Sequence, residues 1–136
     1  MKQIQCHFNR YTFARLAIFV VYFWFGILKV FMLSHANPLV LNLLHHTFLN
    51  FIPDHSFIII LGIFEMLIGV LALVKKCTKV FFTLMVLHLT TTILPLFILL
   101  DVSWSQFWVP TLVGQYILKN LVLLALAYII YREDAS

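Results

Sequence analysis

Charge is what this chain has least of. Only 10% of its 136 residues are Asp, Glu, Lys or Arg, and only five of those are acids. A soluble domain of this size leaves much of its surface wet, and so little charge beside 63% hydrophobic residues excludes water as the main solvent. Cysteine is scarce too. Cys6 and Cys77 fall in no Cys-x-x-Cys or Cys/His pattern, so neither a disulfide framework nor iron–sulfur ligation is expected. Each reads as a passive small hydrophobe. No Gly-rich nucleotide loop, haem-ligand pair or nucleophile triad is recognisable. Internal repeats and low-complexity tails are also missing. The net charge of +4 comes from Lys and Arg at the ends of apolar runs. That pattern is unlike the continuous basic stripe a nucleic acid would need, so no nucleic-acid partner is expected.

The chain does have four long apolar runs, at roughly residues 11–33, 56–74, 80–100 and 111–131. Crossing a hydrocarbon core of about 30 Å takes about 20 such residues in a helix, and runs this long and uniform are not barrel strands. The expected fold is all-α: one domain over residues 1–136, an integral membrane four-helix bundle. Lys2, Arg10 and Arg15 flank the first run, Lys75, Lys76 and Lys79 fill the link between the second and third, and Arg132 follows the fourth. The connections 34–55 and 101–110 carry no Lys or Arg. The positive-inside rule then puts both termini and the 75–79 link on the cytoplasmic side of a multi-pass membrane protein, in the inner or plasma membrane if the source is bacterial. Ser34-His35-Ala36 loosely resembles a signal-peptidase site, but the run before it is too long for an h-region and contains Lys29, so a retained helix is expected.

In the first outer connection, Asn37 suits an N-cap and Pro38 a first helical position. The leucines that follow would lay a short helix on the interface, ended by Phe51-Ile52-Pro53-Asp54. His35, His45, His46 and His55 share that outer side without a compact ligand spacing, so no metal is expected. The Phe residues read as lipid-facing bulk, with Trp24, Trp104, Trp108 and Tyr131 as interface anchors.

Polar residues inside the runs carry the functional question, because a charge there costs about 2.5–3.5 kcal/mol on insertion scales. Glu65 and His88 fall near the middles of their spans, Lys119 and Asn120 slightly outward of the middle, and Lys29 nearer an outer end. Similar depth suggests a Glu65–Lys119 pair, each sparing the other an unpaired burial. Gly62 and Gly69 share the face of Glu65 and invite close helix approach. Gln115 and Lys119 share one face of the last span, Tyr116 and Asn120 an adjacent one. Pro95 should bend the third span and free the carbonyl of Thr91. The expected polar layer is therefore Glu65, His88, Gln115, Tyr116, Lys119 and Asn120, with Lys29 above it or snorkelling outward. Two lysines against one glutamate leave a surplus cation suited to an anion, a quinone carbonyl or a mobile proton.

Several stretches resemble the DoxX-like family of small four-helix membrane proteins. They are Arg15, Gly26-Ile-Leu-Lys29, Ala36-Asn-Pro-Leu-Val40, Gly62-Ile-Phe-Glu65, Leu94-Pro-Leu-Phe97 and Gly114-Gln-Tyr-Ile-Leu-Lys119-Asn120. The chain departs from the family form at Val113, where an acid often precedes Gly-Gln-Tyr. The resemblance implies a membrane subunit linked with thiosulfate:quinone oxidoreduction or oxidant resistance, not catalytic alone. Its redox chemistry would be carried by a partner subunit or a quinone. A homo-oligomer, a small ion- or proton-coupled carrier and a structural assembly factor are the alternatives.

Overall fold

The computed structural model describes residues 10–135. Lys2 and Cys6 lie outside the described residues, as does the side chain of Arg10. The chain is all-α in its spans: α1 (Arg10–Val30), α2 (Asn37–His45), α3 (Asp54–Leu73), a 3₁₀ turn at Lys75–Cys77, α4 (Thr78–Ile93), α5 (Pro95–Ile98), α6 (Leu100–Ser103) and α7 (Leu112–Ala135). Between α6 and α7 a small antiparallel hairpin pairs β1 (Trp104–Gln106) with β2 (Val109–Pro110), an element with no counterpart in the expectation. Four helices are long and apolar enough to cross a membrane, Tyr11–Val30, Asp54–Leu73, Lys75–Ile98 and Leu112–Ala135, and the chain is a multi-pass membrane protein.

The tightest seam joins α1 to α3. A Cβ placed on Gly26 would lie 2.6 Å from the Gly62 carbonyl oxygen, and one on Gly62 would lie 2.7 Å from that of Gly26. Gly69 presses in the same way on the backbone of Phe23 and Phe19. Small residues let two backbones meet where lipid supplies no hydrophobic drive for association, so packing has to hold the pair. The remaining core is apolar: Ala14, Ile18, Ile68, Ala72, Phe81, Met85, Leu89, Ala127 and Ile130 interlock between α1, α3, α4 and α7.

Connections follow local chemistry. α1 stops where Met32 turns to a positive φ of 60°, and the Leu33 N–H reaches back to the Leu28 carbonyl at 2.7 Å. That is a Schellman ending built on Met where Gly is usual. α2 lies where the short outer helix was expected, but Asn37 is its first helical residue. Ala36 holds the cap position, and no side chain caps the helix. At Pro95 the third span breaks into α4 and α5. The freed Thr91 carbonyl is taken by the Leu94 N–H at 3.3 Å, one residue early, as the helix tightens. Thr111 Oγ1 accepts from the Gly114 N–H at 3.2 Å and caps α7.

A buried polar cluster as candidate functional site

On α1 the polar residues Arg15, Tyr22 and Lys29 recur at seven-residue spacing. Two helical turns separate successive members, so they share one face, and that face meets α3. Lys29 is 6% exposed and Glu65 5% exposed. Lys29 Nζ donates to Glu65 Oε2 at 2.8 Å. The other carboxylate oxygen, Oε1, lies 3.0 Å from Nε2 of His88 on α4. The hydroxyl of the buried Tyr22 sits 3.3 Å from His88 Nδ1, and the two rings meet edge to face.

The donor pattern follows from the groups present. An ionised carboxylate only accepts, so Nε2 carries the imidazole proton and Nδ1 accepts from the Tyr22 hydroxyl. Three helices thus share one hydrogen-bonded chain, Tyr22 to His88 to Glu65, completed by Lys29. With a neutral imidazole the cluster is charge-balanced, one ammonium to one carboxylate. Both carboxylate oxygens are engaged, which a buried ion needs if its desolvation is to be offset.

The sequence-predicted residues therefore divide. Lys29, Glu65 and His88 come together. Gln115, Tyr116 and Lys119 do not join them: all three are exposed on α7, and Asn120 is half-buried. The expected Glu65–Lys119 pair is corrected to Glu65–Lys29, and Lys29 turns inward without snorkelling. Lys119 Nζ instead lies 5.2 Å from the Tyr116 ring centroid, a cation–π contact on the outward face. The reason is rotational. In its outer half α7 buries Gly114 and Ile117. Lys119 comes two residues after Ile117, about 200° around the helix. Gly26 faces Gly62, so in this antiparallel pair Lys29 lies three residues outward and Glu65 three residues inward of that contact, and the long lysine side chain reaches inward to the carboxylate.

A second buried cluster joins all four spans at the basic end. Arg15, 3% exposed, donates to the Ala72 carbonyl at 2.6 Å and to Thr78 Oγ1 at 3.0 Å. It also forms an ion pair with Asp134, which contacts the Thr78 hydroxyl as well. Sequence reasoning treated Arg15 as a flank and passed over Asp134, Thr78 and Tyr22. The heptad spacing of Arg15, Tyr22 and Lys29 was the available signal. On the outer side, His45 Nε2 meets Asp54 Oδ1 at 2.8 Å and His46 Nδ1 meets the Asn42 carbonyl at 2.8 Å, both exposed.

Gly114, in the Gly-Gln-Tyr stretch, is packed against the Ser103 carbonyl so closely that a side chain there would collide with backbone. No family model, curated protein or solved structure matches this chain.

Proposed function

We propose that this multi-pass membrane protein is a non-catalytic membrane subunit that engages a redox-associated partner through the outward face of α7. One observation carries the reading. Inside a span, Gln115, Tyr116 and Lys119 project away from the bundle while the buried charges are already balanced among themselves. Lys119 sits about 10 Å below the outer start of α7 at 1.5 Å per residue. A charge at that depth is costly in lipid and calls for an acceptor. A carboxylate or carbonyl on a neighbouring transmembrane helix would serve, and so would a quinone carbonyl. The resemblance to the DoxX-like proteins supports a redox-associated partner, and the sequence holds no redox centre that would make the chain act alone. A photo-reactive residue placed at position 119 should give a discrete protein adduct in native membranes, whereas one at the exposed Ile129 should not. Adducts with lipid alone at position 119 would refute the reading.

The unbroken chain from Tyr22 through His88 to Glu65 favours a second reading, a proton-coupled carrier, because each of these groups can pass a proton to the next. That reading requires proton flux in liposomes that falls on Glu65→Gln. Flux indifferent to the substitution removes it.

A further inference from the structure

The basic end of the bundle carries a cavity of 160 Å³ between the 75–77 turn, the start of α4 and the last turns of α7. Lys75, Lys76, Lys79, Thr78, Tyr131 and Asp134 line it. Among the described residues Asp134 is the one acid of that lining, and its carboxylate is already held by Arg15 and Thr78. Lys75, Lys76 and Lys79 are all exposed, and the described residues of the lining leave them no further counter-charge. The α4 terminus beside them has no side-chain cap. A cavity of roughly 150 Å³ holds a molecule the size of benzene, while drug-sized ligands need about 300 Å³ or more. A phosphate group fits here and a nucleotide does not.

A second feature lies along the same seam. Immediately inward, α4 and α7 form an apolar groove of 540 Å³ lined by Phe82, Val86, Leu121, Leu124, Ala125 and Tyr128. Phe82 bridges the two, because its ring stacks on Tyr131 of the charged cavity with centroids 4.7 Å apart. A cationic pocket at the end of the apolar spans, continued by a greasy groove toward the bilayer centre, matches a molecule with an anionic head and a hydrocarbon tail. Lysine serves as a point-charge partner for phosphate, and this end of the spans is where headgroups lie.

We propose that this seam binds an anionic phospholipid, with Lys75, Lys76 and Lys79 holding its phosphate and the α4–α7 groove holding an acyl chain. The site is independent of the α7 outward face, so either proposal can fail without the other.

The test uses the full chain, reconstituted in phosphatidylcholine containing a minor fraction of phosphatidic acid and released gently for native mass spectrometry. Phosphatidic acid should be retained over phosphatidylcholine by about tenfold or more, since lysines at the membrane surface attract anionic lipid. The triple change of Lys75, Lys76 and Lys79 to Gln should remove the preference. Ala125→Phe, which fills the groove and leaves the charge alone, should weaken retention of both lipids. Single Lys79→Gln, at an exposed position, gives a partial loss that is readable if the triple variant fails to fold. Lys119→Leu should change nothing in this assay. Equal retention of the two lipids by the unaltered chain overturns the proposal, as does an undiminished preference in the lysine variants. Displacement of the lipid by millimolar inorganic phosphate would overturn it as well, by assigning the pocket to a soluble anion.

Discussion

Glu65 is the residue on which the middle of the bundle turns. Its carboxylate satisfies Lys29 and His88 together, each on a separate oxygen. Removing one partner of a buried pair strands the other, at a cost of about 3–5 kcal/mol, while replacing both with apolar groups is often neutral. Glu65→Leu alone should therefore destabilise by about that amount. The double change Lys29→Met with Glu65→Leu should recover most of the loss, as read by denaturant titration of the purified protein in mild detergent. A double-variant loss equal to the sum of the two single-variant losses would mean the pair has no coupling. Lys119 is the contrasting case. Exposed and, among the described residues, paired only with the Tyr116 ring, it should tolerate Lys119→Leu within about 0.5 kcal/mol of bundle stability. The same change should abolish partner adducts formed from a probe at the neighbouring Gln115.

Among elements, α1 and α3 form the pair whose geometry has least slack. Gly62 faces the backbone of Gly26, so Gly62→Ala forces the helices apart where neither neighbour can rotate away. Overpacking of this kind costs about 1–3 kcal/mol. The same shift pulls Lys29 off Glu65, so Gly62→Ala should lower stability and weaken the coupling between Lys29 and Glu65 measured by the double-variant cycle. The α1 ending offers a change of opposite sign. Met32 holds a left-handed backbone that costs an L-residue about 1–2 kcal/mol. Met32→Gly should leave stability unchanged or raise it by up to about 1 kcal/mol, in the same titration.

For the whole molecule, the Arg15 cluster ties the start of α1 to the end of α7 and to the α3–α4 corner. Those three regions must therefore lie at one end of the bundle, with the 104–110 hairpin at the other. A membrane-impermeant thiol reagent, applied to single-cysteine variants with Cys6 and Cys77 replaced, should label positions 76 and 135 from one face and Ser105→Cys from the opposite face. Labelling of 76 and 105 from the same face would break the four-span topology. The positive-inside rule expects the 76 and 135 face to be cytoplasmic.

Some of this was decided by the sequence alone. Four spans, the alternating topology, the short helix after Pro38 and the break at Pro95 all follow from run length, charge placement and backbone chemistry, which act locally. Gly62 and Gly69 on the face of Glu65 announced a close helix contact before α1 was known to be its partner. Which cation meets that carboxylate was settled only by the tertiary structure. The last span carries apolar residues on every face beside its polar ones, so its sequence does not tell the inward face from the outward one. Partner choice depends on the rotation and axial offset of packed helices. Those are set by Gly26 against Gly62 and by Gly114 and Ile117 turning inward, and together they brought Lys29 to Glu65 and left Lys119 facing out.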